Sequence, residues 1–309
     1  MSQLFDALQR SESERSGADP GKLSAATDLL AAAERQVFAS GEDRPRVTEE
    51  EPENGRRTLK AHDDQFSQFQ SVQVLVPPQS KLVCVTEEDS LAAEKFRLLG
   101  VRLRHLQQKH PLKRLLVTSS IAEEGKSTVA ANLACVLTNR HKTLLLEGDL
   151  RRPTLAQQFG VGKVPGLSEL LQGEPASAMN IYHLESLGFW ILPAGSPPKN
   201  PLELLQSGKL SLLMDQLAGW FDWIVIDSPP VLPLADTSVW MRLADGVLLV
   251  TRPGKTSKRQ LQLGLEAVEQ PKLLGAVLNG SSAAKSSYYN HYYNAGQKSV
   301  PQADGQPTE

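Results

Sequence analysis

The sequence predicts an α/β fold, a mostly parallel sheet with helices on both faces. Two observations carry that expectation. Six apolar runs read as strands: LKRLLVTSS (112–120), KTLLLEGD (142–149), GFWILPAG (188–195), FDWIVIDSPP (221–230), DGVLLVTRPG (245–254) and LLGAVLNG (273–280). They are continuous rather than alternating, so both sides of each strand face apolar neighbours. Between them lie helix-length stretches such as GKSTVAANLACVLTN and PLELLQSGKLSLLMDQLAGW. Buried strands alternating with helices make a parallel sheet covered on both sides.

The chain divides into three regions. Residues 1–80 carry 14 acids and 9 bases, a net charge of −5, which leaves +3 for the remainder of a chain whose overall charge is −2. Leu4, Phe5 and Leu8 fall at helical spacing in the first fifteen residues and form either a marginal amphipathic helix or a docking helix. Residues 41–71 hold only five apolar side chains (Val47, Leu59, Ala61, Phe66, Phe69), too few to offset the entropy of ordering, and read as disordered linker. Residues 81–283 form the sheet domain. Residues 284–309 read as a flexible polar tail, yet they contain Tyr288, Tyr289, Tyr292 and Tyr293, four of the five tyrosines in 309 residues.

Composition narrows the function. A charge near zero argues against nucleic acid as the main partner. Cys84 and Cys135 have no metal-ligand spacing and are too few for a disulfide framework, which suits a reducing cytosol. No apolar run approaches the 18 residues of a spanning helix, and MSQLFDALQRSESER lacks a signal-peptide core.

TSSIAEEGKSTVAANLA (118–134) stands between a strand and a helix and fits the phosphate-binding loop G-x-x-x-x-G-K-S/T, with Ser120 in place of the first glycine. Backbone N–H groups and a helix start favour an anion there. Ser119, Ser120, Glu124, Gly125, Lys126, Ser127 and Thr128 are the candidate nucleotide-binding residues. Lys126 reaches the β- and γ-phosphates, Ser127 ligates Mg²⁺, and Thr128 helps hold the α-phosphate. Two further strands run into Glu147-Gly148-Asp149 and into Asp227, at the strand ends where open α/β sheets bind ligands. Asp149 and Asp227, with Ser127, are the expected Mg²⁺ ligands.

At these residues the sequence resembles the bacterial tyrosine kinases (BY-kinases), cytoplasmic tyrosine autokinases of capsule and exopolysaccharide systems that belong with the MinD- and ParA-type P-loop ATPases. The resemblance covers roughly residues 85–293. Beyond the phosphate loop it rests on LLLEGDLRRPTL, GLSELLQGE, LPAGSPPKNPLELL, FDWIVIDSPPVLPLAD, ADGVLLVTRPGKTS and LGAVLNG, and on the tyrosine-rich tail.

The resemblance implies an ATP- and Mg²⁺-dependent protein-tyrosine autokinase in which Lys126, Asp149, Glu147 and Asp227 are catalytic. Lys126 and Ser127 take the Walker A roles, Asp149 helps hold Mg²⁺ and Asp227 is the Walker B acid. Glu147, standing where the family usually has Asp, takes the proton of the attacking tyrosine. Asn279 lies near the adenine, and Tyr288, Tyr289, Tyr292 and Tyr293 are autophosphorylated. Two further departures are Glu123-Glu124, where Gly-Glu is common, and Gly100, where an oligomerisation helix usually has its second arginine after Glu94 and Arg97. The implied partners are other copies of the chain, a separate membrane-anchored polysaccharide co-polymerase (chain-length determinant) as activator, and a phosphotyrosine phosphatase. The implied place is the cytoplasm, at the inner face of the membrane. A MinD/ParA-type ATPase and a non-catalytic nucleotide-dependent module remain the alternatives.

Overall fold

The computed structural model describes Phe66 and residues 68–77, 79–173 and 180–280. The N-terminal amphipathic helix, the linker up to residue 65 and the four tail tyrosines lie outside the described residues. Eight strands form one sheet: β1 (Gln70–Val72), β2 (Arg114–Ser119), β3 (Thr143–Glu147), β4 (Tyr182–Leu184), β5 (Phe189–Leu192), β6 (Trp223–Asp227), β7 (Gly246–Thr251) and β8 (Leu273–Leu278). Their order is β1-β4-β5-β3-β6-β2-β7-β8. Every neighbouring pair is parallel except β4–β5. The expected mostly parallel α/β sheet is therefore what forms.

The continuous apolar runs explain the middle of this order. β3, β6 and β7 are buried at every position, and β2 at all but its first. Helices supply the cover. In chain order the longer ones are α1 (Leu91–Lys109), α2 (Lys126–Leu137), α3 (Lys209–Trp220), α4 (Asp236–Leu243) and α5 (Lys258–Ala267). Ser90 caps α1 by accepting from Ala93 N–H at 3.1 Å, and Ser257 with Gln260 forms a capping box on α5. The core between α1, α2 and the sheet is mainly aliphatic, with Leu103, Leu115, Leu133, Leu137 and Leu145 fully enclosed. Gly100 is buried on α1, and a Cβ there would stand 3.0 Å from Val136 Cγ2 on α2. Close helix contact thus uses the position where the resemblance anticipates an arginine.

Three expectations are corrected. First, the linker reading fails at its C-terminal end, at Phe66 and residues 68–71. Phe69 is buried, Val72 is partly so, and β1 adds an edge strand to β4. Phe66 and Phe69 enter an aromatic cluster with Trp190 and Phe221, with ring centroids 5.0 to 6.5 Å apart, and Lys142 Nζ sits 4.1 Å above Phe66. Two phenylalanines in a polar stretch suffice because the receiving surface is already aromatic. Second, the stretch 201–220 is two helices, Pro201–Leu205 and α3. The break falls at Gly208, whose φ of 76° is left-handed. Third, β1 and β4 go unforeseen, since QSV and YHL lack the apolar run of the central strands.

Replacing Phe69 by Ala removes a buried ring from this cluster and is expected to lower unfolding stability by about 3 kcal/mol, the usual cost of such a truncation. Urea unfolding followed by tryptophan fluorescence measures it. An unchanged midpoint would mean that the 66–76 segment contributes nothing to the fold.

Candidate functional site

Parallel strands bring their C-terminal ends to one edge, where the phosphate loop follows β2, Glu147 and Asp149 stand at the end of β3, and Asp227 ends β6. The loop after β2 carries residues 120–125, and α2 begins directly behind it at Lys126. β3 ends at Glu147 and β6 at Asp227, and those two residues are register partners. Asn279 follows β8.

The phosphate loop is braced from outside. Glu123 has a left-handed φ of 64°, unfavourable for a residue with a side chain, and pairs with Lys255 beyond β7. That hydrogen bond holds the Glu123 carboxyl below its ordinary value. Glu123 therefore points at a lysine of another loop. Glu124 is fully buried. Its Oε2 accepts from Ile121 N–H at 2.8 Å and its Oε1 from the Thr256 hydroxyl. Asn279 Nδ2 donates to the Glu124 carbonyl at 2.9 Å, and any Cβ on Gly125 (φ 90°) would fall on that amide.

Three of the expected nucleotide-binding residues keep their side chains within the fold. Ser119 Oγ donates to the Ile121 carbonyl at 2.7 Å, inside the loop. Ser120 Oγ is buried and without a hydrogen-bond partner, and it occupies the space that a Cβ on Gly264 of α5 would need. Ser120 is tolerated in the first glycine's place because Gly264 leaves room for it. The Glu124 carboxylate shapes the loop from within. These three residues can face a phosphate only through the backbone.

Lys126, Asp149, Ser127 and Asp227 do converge. Lys126 Nζ lies 3.3 Å from Asp149 Oδ2, 3.4 Å from Ser127 Oγ and 3.8 Å from Asp227 Oδ1. Asp149 Oδ1 accepts from Arg152 N–H at 3.1 Å. Asp227 is 1 % exposed, and its Oδ1 has no hydrogen-bond partner. Burial raises its carboxyl to about 6, against the attraction of Lys126 and a hydrogen bond from Ser127. A buried carboxylate oxygen without a hydrogen-bond partner, beside a hydroxyl and a second carboxylate, is a hard oxygen donor set that fits Mg²⁺. Among the described residues no three His, Cys, Asp or Glu side chains converge as a self-sufficient metal cage.

The Glu147 carboxylate is already occupied. Its Oε1 accepts from Thr154 and Leu155 N–H at 2.5 Å each, and its Oε2 from Ala194 N–H at 3.0 Å. The geometry does not favour Glu147 as the acceptor of a tyrosine proton. Sequence reasoning missed other residues that fix this loop. Arg151 makes a two-pronged pair with Asp236 at 2.7 and 3.0 Å. A Cβ on Gly148 would stand 2.8 Å from the Trp240 ring, and Trp240 Nε1 donates to the Gly148 carbonyl at 3.1 Å. The only sequence signal was a glycine between two acids, followed by paired arginines.

No family model matches the chain. It is 35 % identical over 222 residues to the tyrosine-protein kinase YwqD of Bacillus subtilis, covering 69 % of this chain and 92 % of that protein. It is 33 % identical over 207 residues to the putative tyrosine-protein kinase CapB of Staphylococcus aureus, covering 66 % and 91 %. The solved kinase domain of the Escherichia coli tyrosine kinase ETK superposes with a TM-score of 0.62 at 30 % identity, over 64 % of this chain and 79 % of that one.

Two outcomes follow from the site. A carboxyl held near 6 against about 3.9 in an unfolded chain is charged at a cost in the folded state. That cost is absent below about pH 4 and is fully present above pH 6. Asp227→Asn is therefore expected to raise the apo melting temperature at pH 7.5 by a few degrees, and by less at pH 5, when followed by calorimetry. A drop at pH 7.5 would contradict it. Gly264→Ala is expected to weaken Mg·ADP binding roughly tenfold by displacing Ser120, and Ser120→Gly in the same chain to restore most of it. Fluorescence titration with labelled nucleotide reads both, and additive losses would refute the pairing.

Proposed function

The chain belongs to the bacterial tyrosine-protein kinases, and from that premise we propose that it phosphorylates its own tail at Tyr288, Tyr289, Tyr292 and Tyr293, between subunits, using ATP and Mg²⁺. The chain is a protein-tyrosine kinase. The observation that supports the finer reading best is the meeting of Lys126, Asp149 and Asp227 at one sheet edge, in a chain that keeps four of its five tyrosines for the last 22 residues.

Phosphoryl transfer through a loose transition state asks mainly for positioning and charge. The N–H groups at the start of α2 and of its preceding loop bind the phosphates, with the helix dipole behind them. Lys126 leaves its carboxylate partners for the β- and γ-phosphates and steadies the charge that develops as the γ-phosphoryl group departs. Ser127, Asp149 and Asp227 would hold Mg²⁺, which supplies further charge neutralisation at the phosphate oxygens. Bracing by Glu124, Thr256 and Asn279 keeps the loop in its binding shape with no reorganisation during transfer. Asn279 borders the place of the base.

Each phosphate adds about −1.5 to −2 charges to the tail. Several together repel it from the acidic strand ends and loosen contacts between copies. A membrane-anchored polysaccharide co-polymerase activates the kinase, a phosphotyrosine phosphatase reverses it, and the cycle regulates the chain length and export of an exopolysaccharide or capsule. Among the described residues no helix is long and apolar enough to cross a membrane; the activator brings the kinase to the inner face of the membrane.

Mixing two defective chains tests transfer between subunits. Lys126→Met keeps the tyrosines and lacks transfer, while a chain with all four tail tyrosines changed to Phe keeps the site. Neither alone is expected to gain phosphotyrosine at 288–293. The mixture, given ATP·Mg²⁺, is expected to label the Lys126→Met chain. A Lys126→Met chain that stays unlabelled in the mixture, while wild-type chain is labelled under the same conditions, would place transfer within one subunit.

A further inference from the structure

We propose that Glu147 is a positioning residue of the kinase: it stitches the loop carrying Asp149 to the loop after β5, and the tyrosine's proton goes elsewhere. This deepens the kinase reading above and rests on it. A proton acceptor needs a lone pair within hydrogen-bond reach of the phenol. An ionised carboxylate offers about four such directions. Three of Glu147's are taken by backbone N–H groups, and the residue is 1 % exposed.

Those three donors come from two places. Thr154 and Leu155 close the loop that leaves β3 at Gly148 and carries Asp149, Arg151 and Arg152. Ala194 opens the segment after β5, on the other side of β3 from β6. One side chain thus ties the two ends of the Asp149 loop together and fastens both to the neighbouring strand. The loop is pinned at its other contacts as well: Gly148 N–H donates to the Asp227 carbonyl at 2.7 Å, Trp240 holds the Gly148 carbonyl, and Arg151 is paired with Asp236. Asp149, held through Oδ1 by Arg152 N–H, turns Oδ2 to Lys126. With Glu in this position one carboxylate reaches both Ala194 and the 154–155 amides, and on this proposal its length matters as well as its charge. A loose transition state, in which bond formation to the nucleophile lags, requires little from a base at this position.

The test uses the full chain with Glu147→Gln and Glu147→Asp. It measures kcat and KM for ATP, Mg·ADP affinity by fluorescence titration, and amide hydrogen exchange. Positioning is expected to show in Glu147→Gln as a KM and a Mg·ADP dissociation constant raised severalfold or more, and as faster exchange at Thr154, Leu155 and Ala194. Its kcat should fall by less than about tenfold. Glu147→Asp, though still a carboxylate, should do no better than Gln. A kcat loss of about 10²–10⁴ in Glu147→Gln with KM, affinity and exchange unchanged would overturn the proposal, as would recovery of kcat in Glu147→Asp. If the Gln variant does not fold, the wild-type protein still decides: these three amides must be protected without nucleotide, and fast exchange refutes the stitch. A wild-type chain that binds Mg·ADP but phosphorylates no tyrosine would defeat the kinase reading alone, because affinity and exchange still judge Glu147.

Discussion

The buried carboxylate of Asp227 is the constraint around which the rest of this molecule is arranged. It stands at the end of the sheet's inner strand β6, 1 % exposed, with one oxygen lacking a hydrogen-bond partner. A charge so placed is costly unless something compensates it. Lys126 at 3.8 Å compensates only in part, which is why the carboxyl stays raised. The folded chain therefore carries an unfavourable charge that a cation would relieve. A site of this kind holds its polar groups where the transferring phosphate requires them, at some expense to the stability of the empty protein.

Such a site works only if its loops cannot relax toward the charge. The phosphate loop, with its left-handed Glu123 and Gly125, is held by the loop after β7 through Lys255 and Thr256 and by Asn279 after β8. The Asp149 loop is held by Glu147, Trp240 and Asp236. These braces come from the ends of β3, β7 and β8 and from α4, which follows β6. The parallel topology matters because it delivers the strand ends to one edge. Close packing does the remaining work at Gly148 and Gly264, where the absence of a side chain admits Trp240 and Ser120.

Much of this is legible in the sequence, and the gaps have physical reasons. β2, β3, β5, β6 and β7 are visible because a strand buried on both faces must be apolar along its length, and β8 is visible because it is apolar too, although as an edge strand it is only partly buried. β1 and β4 are not, because three residues make no apolar run: QSV is an edge strand that depends on a partner distant in sequence, and YHL is a short strand between β1 and β5. Phe66 and Phe69 lie in a stretch whose average composition reads as disorder; only the aromatic surface of Trp190 and Phe221 gives them a place. At the site, spacing identifies which residue types gather: Lys126, Ser127, Asp149 and Asp227 are where the motif expects them. Spacing does not reveal how an acid's lone pairs are spent. Glu124 and Glu147 both read as site acids, and both turn out to be bound to backbone N–H groups. Lys255, Arg151 and Asp236 lie within segments that carry the resemblance, yet spacing gives them no role, and their pairings become visible only when the strand ends are brought together.

The most direct measurement for the claim that this strand-end cluster drives tyrosine phosphorylation of the tail is mass spectrometry on the full wild-type chain, before and after incubation with ATP·Mg²⁺. Intact mass counts the phosphates gained, and peptide mapping locates them. Added phosphate concentrated on Tyr288, Tyr289, Tyr292 and Tyr293 is the expected result. ATP consumed with no phosphate on those tyrosines would contradict it and leave a nucleotide hydrolase in its place.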